Sequence, residues 1–447
     1  MEQIFKSYDI RGVYPEELNE NLAYRIGAAT AEYLKAHVLA VGQDNRASSP
    51  ALFASFVQGV RESGVTVIDL GLLSTPMLYF AATKLAVDGA IMVTASHNPA
   101  QYNGFKICKK NAVPVGLSSG LGGIRDLVLS NKFLKAEKLG ELHVANIKND
   151  YDDFIVGFAN FSKKRFHVAI DTAHAMGVLE LPIYHRFNNI MLCGLLYDTL
   201  RPPGTCPHEA NPQKAETLIE LQHVVRKTKA DIGIAYDGDA DRIGFIDEEG
   251  RVVPMDITTA LLAQGVLALH PKATILYDLR SSRSVREVIE EHGGTAHECM
   301  VGHANIKKQM IAEGAVFAGE ASGHYYFAEG GYIAEMGTLP ALLLFNLMNK
   351  TGKKLSQLVR EVTRYVHSGE INSKVNSAPD MLKRIKKKYA DGKISELDGI
   401  KIEYPNWWFS LRASNTEPLI RLNCEADTKE LMEKMRDELL VLIHSPA

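Results

Sequence analysis

The chain has 447 residues, 46% hydrophobic and 23% charged, an ordinary globular composition with apolar material for several cores. Its formal net charge of -3 excludes a general attraction to nucleic acid or to an anionic membrane, so any anion site must be a local cluster of cations. The cysteines (Cys108, Cys193, Cys206, Cys299, Cys424) are odd in number and show no paired spacing, which excludes a disulfide frame or zinc site and fits reduced thiols in a cytoplasmic protein.

The opening residues, with Lys6, Asp9 and Arg11, lack the apolar core of a signal peptide. Length alone suggests about three domains. Apolar residues at helical spacing over 18–34 predict a helix, followed by a buried strand over 38–41. Ser49 and Pro50 open a second helix, with proline near its first turn, and 65–70 reads as the next strand. A third unit runs from a helix over 77–85 into a strand over 89–94. Repetition of this kind builds a mostly parallel sheet covered by helices, with ligands at the carboxyl ends of the strands.

After a polar stretch over 136–150 the pattern restarts with a strand at 166–171 and continues through 232–236 and 243–247. It restarts again with a strand at 273–278, a helix over 284–292 and a strand at 315–318. The run 340–348 is the most apolar of the chain and is too short to span a bilayer. Basic residues over 383–388 interleave with Leu382, Ile385 and Tyr389 at helical spacing, so they predict a solvated helix face rather than a nucleic-acid contact. Strands at 407–411 and 420–423 precede a helix carrying Leu431, Met435, Leu439 and Leu442 on one face, with Asp427 as its N-cap.

Four motifs carry candidate chemistry. Thr94-Ala95-Ser96-His97-Asn98-Pro99 places a hydroxyl at a strand's carboxyl end, beside a histidine and within reach of Lys106; read alone it fits a polar turn equally well. Asp237-Gly238-Asp239-Ala240-Asp241-Arg242 alternates three carboxylates along an extended segment, so they point to one side and need a cation; oxygen donors suit Mg²⁺ or Mn²⁺. An EF-hand is excluded because Arg242 stands where that loop needs glycine and the flanks read as strands. Gly319-Glu320-Ala321-Ser322-Gly323-His324 offers donors and acceptors for sugar hydroxyls, and His324 could shuttle a proton near neutral pH; it also fits a packed core beside Tyr325-Tyr326-Phe327. Arg412-Ala413-Ser414-Asn415-Thr416-Glu417-Pro418 reads as a phosphate cradle or as a plain hairpin loop. No Walker A run occurs, and Gly120-Leu121-Gly122-Gly123 does not open a dinucleotide-binding turn.

These motifs, in this order and spacing, resemble the α-D-phosphohexomutase family over nearly the whole chain. Further likeness lies in Phe5-Lys6-Ser7-Tyr8-Asp9-Ile10-Arg11-Gly12, in Gly42-Gln43-Asp44-Asn45-Arg46, in Tyr102-Asn103-Gly104-Phe105-Lys106, in Tyr277-Asp278-Leu279-Arg280-Ser281-Ser282, and in Gly302-His303 with Ile306-Lys307. The resemblance implies an α/β fold of three similar domains with mixed, mostly parallel sheets and a smaller C-terminal α+β domain around a central cleft. The expected boundaries are 1–148 for the phosphoserine-loop domain, 149–252 for the metal-loop domain, 253–366 for the sugar-loop domain and 367–447 for the phosphate-loop domain.

It further implies that Ser96 holds a phosphate and that Asp237, Asp239 and Asp241 ligate Mg²⁺ with a phosphoserine oxygen. Glu320 and Ser322 would bind the sugar, and Arg412, Ser414, Asn415 and Thr416 the unreactive phosphate. Arg11, Lys106 and Arg242 would surround the reacting phosphate, His303 would help place the substrate, and His324 matches an acid/base position. The implied activity is interconversion of hexose 1- and 6-phosphates through a hexose 1,6-bisphosphate, mannose preferred and glucose possible, in a monomer or homodimer with a sugar phosphate as its partner. Ala321, where relatives often carry Met or Gln, and Glu335, in place of paired acidic residues, leave sugar preference open. A phosphoglucosamine mutase and a non-catalytic sugar-phosphate-binding relative are the alternatives.

Overall fold

The computed structural model describes residues 2–133, 135–162, 164–413 and 419–445. Four sheets follow one another along the chain, of seven, five, five and six strands. In the first, Val38–Gln43 lies between Thr66–Leu72 and Gly89–Val93, all parallel; Tyr102–Lys109 then joins Gly89–Val93 antiparallel, and Ile10–Val13 closes that edge. The second repeats the plan: Phe166–Asp171 between Ile190–Leu196 and Ile232–Tyr236, then Ile243–Asp247 antiparallel. So does the third: Thr274–Asp278 between Thr295–Cys299 and Phe317–Gly319, then Tyr325–Glu329 antiparallel. The fourth sheet is antiparallel in every described pairing.

The shared topology fixes where the motifs go. In each of the first three sheets the functional loop is the connection from the last parallel strand to the first antiparallel one: 94–101, 237–242 and 320–324. That point is where a sheet of this kind opens a crevice at its strand ends. The fourth motif begins within the strand Trp407–Ala413, which carries Arg412 and Ala413, and Ser414, Asn415 and Thr416 lie outside the described residues.

Helix boundaries follow local chemistry. Glu20–Leu34 starts after Asn19, whose side chain accepts from Leu22 N–H, and ends at Lys35 in the left-handed region. It packs tightly on Ser49–Glu62 because glycines line the contact: a Cβ on Gly27 would sit 2.2 Å from the Phe56 carbonyl oxygen. The basic run lies on the helix Ala378–Lys388, with Ile385 buried and Lys386 and Lys388 paired to Glu396 and Glu438. The last helix, Lys429–His444, is capped by Thr428 rather than Asp427: the Thr428 hydroxyl accepts from Leu431 N–H at 3.2 Å. Both residues are competent caps, and the chain turns helical one residue later than the Asp427 reading requires.

One apolar cluster runs continuously through the first three units, from Met77 and Phe80 through Phe166 and Tyr236 to Phe317 and Phe345. A polar chain crosses it: Ser74 Oγ and Thr338 Oγ1 donate to buried Glu180, and Tyr236 Oη bonds Thr338 Oγ1. The fourth unit has a separate core around Phe409, Leu422 and Leu439. No helix among the described residues is long and apolar enough to cross a membrane.

Candidate active site

Ser96 sits at the end of the strand Gly89–Val93 with φ 52°, a left-handed backbone that a serine adopts at a cost of about 1 kcal/mol or more. Local bonds hold it there: Ser96 N–H donates to Thr94 Oγ1 at 2.9 Å, and Asn98 N–H to the Ala95 carbonyl at 3.0 Å. Its hydroxyl donates to Asp237 Oδ2 at 2.9 Å and lies 3.1 Å from His97 Nδ1. The two loops come from different sheets and approach so closely because Gly238 has no side chain: a Cβ there would lie 2.1 Å from the Ser96 carbonyl oxygen.

Asp237, Asp239 and Asp241 are buried, each with a carboxylate oxygen within 4.8 Å of the others. Burial and repulsion from Asp241 and Asp239 push the Asp237 carboxyl above the usual carboxylate range. Burial would raise Asp241 as well, but the charges of Lys106 and His324 hold it well below the usual carboxylate range. Lys106 Nζ bonds Asp239 at 2.6 Å and also Asp241, while Asp239 Oδ2 accepts from Thr75 Oγ1. Asp239 Oδ1 is buried without a hydrogen-bond donor, and Asp241 Oδ1 is buried with only His324 Nε2 near it, at 3.3 Å. Three converging carboxylates, one with a wholly undonated oxygen, are a hard, oxygen-only donor set, and they fit a divalent cation of the magnesium type.

The third loop faces this cluster. His324 Nε2 is 3.3 Å from Asp241 Oδ1, and its Nδ1 lies 2.7 Å from Ser322 Oγ and 3.3 Å from Glu320 Oε2. Burial works against its charge, but Asp241 and Glu320 lift the imidazole to about 9, so it carries a proton at neutral pH. Burial would likewise raise Glu320, yet hydrogen bonding to His324 and the charge of Arg280 keep it ionised. Glu320 also accepts from Tyr326 Oη at 3.0 Å and Gly302 N–H at 3.3 Å. His303 lies edge-on to Tyr8, ring centres 5.3 Å apart, with neither ring nitrogen hydrogen-bonded. Burial and the nearby charge of Lys307 keep it neutral.

Arg11 pairs with Asp9 at 2.8 Å and bonds Asn98 Oδ1, which sets it beside the Ser96 loop. Arg242 bonds Gln213 and sits 3.9 Å from Asp237 Oδ2. Arg412 lies 3.6 Å from Asp398 and directly opposite Arg421 on the neighbouring strand. A cleft of about 400 Å³ is lined by Ser96, Lys106, Asp241, Arg242, His303, Glu320, Ser322, His324, Arg11 and Arg412. All the described candidate residues therefore converge, Asp237 and Asp239 lying just behind the lining. Sequence reasoning gave no site role to Tyr8, Tyr79, Gln213, Arg280, Glu370 and Arg421, which also line the cleft. Strand pairing supplies the signal for Arg421: it faces Arg412 once the hairpin register is known.

Fold and site together define a four-unit α/β enzyme in which one loop from each of the first three sheets meets in a common cleft. Comparison with known proteins supplies the family. The chain matches the phosphoglucomutase/phosphomannomutase α/β/α domain I over residues 2–134, domain II over 141–250, domain III over 254–365 and the C-terminal domain over 370–441. It is 39% identical to a phosphomannomutase of Methanocaldococcus jannaschii, covering 98% of this chain and 97% of that one. A phosphomannomutase of Escherichia coli is 37% identical, with 98% of each covered. A crystal structure of a phosphoglucomutase/phosphomannomutase family protein from Burkholderia thailandensis superposes with a TM-score of 0.90 at 28% identity, covering 100% and 99%. The chain belongs to the phosphoglucomutase/phosphomannomutase family.

Proposed function

We propose that the protein interconverts hexose 1-phosphate and hexose 6-phosphate, mannose preferred and glucose accepted, with Ser96 as the residue that carries the transferring phosphoryl group. The observation that carries this reading is the 2.9 Å bond between the Ser96 hydroxyl and Asp237, a nucleophile from one sheet meeting a carboxylate trio from the next. In the first half-reaction the bond from phosphorus to Ser96 Oγ breaks and one to a free sugar hydroxyl forms, giving a hexose 1,6-bisphosphate. In the second half the bisphosphate, turned round, returns its other phosphoryl group to Ser96. His324 relays the sugar's proton: it takes one from the hydroxyl that attacks in the first half and gives it to the sugar oxygen that loses phosphorus in the second, while Ser96 Oγ gains a proton from solvent on leaving and returns it on attacking.

Asp237, Asp239 and Asp241 would hold Mg²⁺, which supplies charge compensation for the transferring group. Lys106, Arg11 and Arg242 add fixed positive charge around the same point, the main requirement of such a transfer. Glu320, Ser322 and His303 hold the sugar, while Arg412, with the Ser414, Asn415 and Thr416 segment, grips the phosphate that is not reacting. The four units 1–148, 149–252, 253–366 and 367–447 each contribute one loop, in a monomer or homodimer of the cytoplasm. Turnover of mannose, glucose and glucosamine 1-phosphates, with trace hexose 1,6-bisphosphate and Mg²⁺, tests the reading. Mannose 1-phosphate is expected to turn over fastest, with activity abolished by chelation and restored by Mg²⁺. Fastest turnover of glucosamine 1-phosphate would reassign the sugar, and tight binding without turnover would make the protein a non-catalytic relative.

A further inference from the structure

Arg46 is buried, outside the lining of the catalytic cleft, and behind the loop that carries Ser96. Its guanidinium spends every terminal donor on that loop and on the first residue of the strand that follows it. Nη2 donates to the carbonyls of Ser96 and Asn98, each at 2.7 Å, and Nη1 to those of Pro99 at 2.9 Å and Tyr102 at 2.8 Å. The remaining nitrogen, Nε, faces Asp44 Oδ2 at 3.2 Å, and Asp44 Oδ1 is itself held by Ser49 Oγ and by Arg46 N–H. The neighbouring Asn45 reaches across to the second unit, donating to the carbonyls of His174 at 2.7 Å and Arg201 at 2.6 Å.

Two features show why the loop needs such a clamp. Ser96 stands in the left-handed region, a conformation that persists only where its surroundings over-determine it. The Ser96 carbonyl that Arg46 grips is also the atom against which Gly238 of the metal loop is packed. A shift of that carbonyl would move the hydroxyl and the carboxylate trio apart together.

We propose that Arg46 is a positioning residue for phosphoryl transfer, holding the backbone from Ser96 to Tyr102 in the conformation that aims the Ser96 hydroxyl at Asp237 without itself touching substrate. The inference rests on the functional reading above. Lysine cannot replace it, because a single ammonium cannot present a planar fork to four carbonyls. Displacing a reacting group by about 1 Å costs roughly 100-fold in rate, and the substrate's own contacts, on other loops, are left in place.

The test compares Arg46→Lys and Arg46→Ala with the unmodified full-length protein, Mg²⁺ and substrate present. Expected is a kcat lowered ~100-fold in both variants, with KM for the hexose 1-phosphate held within about twofold. Partial recovery of Arg46→Ala by added guanidinium ion is also expected. Amide hydrogen exchange over 94–102 should quicken in both variants relative to the rest of the chain. Unchanged kcat and unchanged exchange would overturn the proposal. So would kcat, KM and melting temperature all worsening together without guanidinium rescue, since that describes a general structural role. Where Arg46→Ala does not fold, the kcat-to-KM split of Arg46→Lys decides. An unmodified protein without mutase turnover defeats the functional reading, and the exchange over 94–102 still decides whether Arg46 clamps the loop.

Discussion

At the scale of single residues, charge and close approach decide what the site can do. Gly238 is the point where two loops touch, so Gly238→Ala pushes its Cβ against the Ser96 carbonyl. We expect activity to fall ~100-fold while the melting temperature stays within a few degrees, read by steady-state kinetics and calorimetry; wild-type activity would show that the loops do not need this contact. Glu180 shows the other side of burial. Its carboxyl is pushed up to about 7 by burial, against the donors Ser74 and Thr338. The folded protein therefore keeps a proton that the unfolded chain loses near its ordinary value. The stability this contributes is full below pH ~4.5 and is lost as pH rises through about 7. Glu180→Gln removes that slope: denaturant unfolding should show the wild type losing stability relative to the variant between pH 5 and 8, on the order of a few kcal/mol at most. A constant difference across that range would contradict it.

At the scale of elements, much of the first three units was legible because their strands are buried apolar runs bounded by polar turns. The strands Phe166–Asp171, Ile232–Tyr236 and Ile243–Asp247 fall where the pattern puts them. The helices Met255–Leu269 and Leu339–Thr351 were not legible as helices, since both are buried on most sides and show no polar face to set a period. Phe345, on the latter, packs 4.8 Å from Phe166 between ring centres, which no local pattern predicts. The candidate motifs could be found one by one, yet their convergence depends on the repeated switch from parallel to antiparallel pairing, a property of strand order. Capping shows how local chemistry leaves a one-residue ambiguity. Thr428→Ala should cost about 1 kcal/mol by denaturant unfolding, and Asp427→Ala close to nothing; the reverse ranking would restore Asp427 as the cap.

At the scale of the whole molecule, the first three units share one apolar core and the fourth has its own. The seam to the fourth unit is polar. Arg283 donates from its guanidinium to the carbonyls of Tyr404, Pro405 and Trp407, Lys401 pairs with Glu298, and Glu370 faces Arg280 and Arg421. Interfaces of this kind permit motion between domains, and a rotation at this seam would carry Arg412 toward or away from the Ser96 side of the cleft. Arg283→Ala is expected to raise the KM for sugar phosphate roughly tenfold, with a larger radius of gyration in small-angle scattering and an unchanged core melting transition. An unaltered radius and KM would place closure elsewhere.

The account stands on a phosphoryl group residing on Ser96. Intact-protein mass spectrometry with peptide mapping, after incubation with hexose 1,6-bisphosphate and Mg²⁺, measures that directly. The account predicts one added phosphoryl group, mapped to Ser96, absent from Ser96→Ala and, when introduced from isotopically labelled bisphosphate, exchanged for an unlabelled one on adding hexose 1-phosphate at a rate no slower than turnover. A protein that turns over with Ser96 unmodified throughout, or a Ser96→Ala variant of full activity, would contradict it.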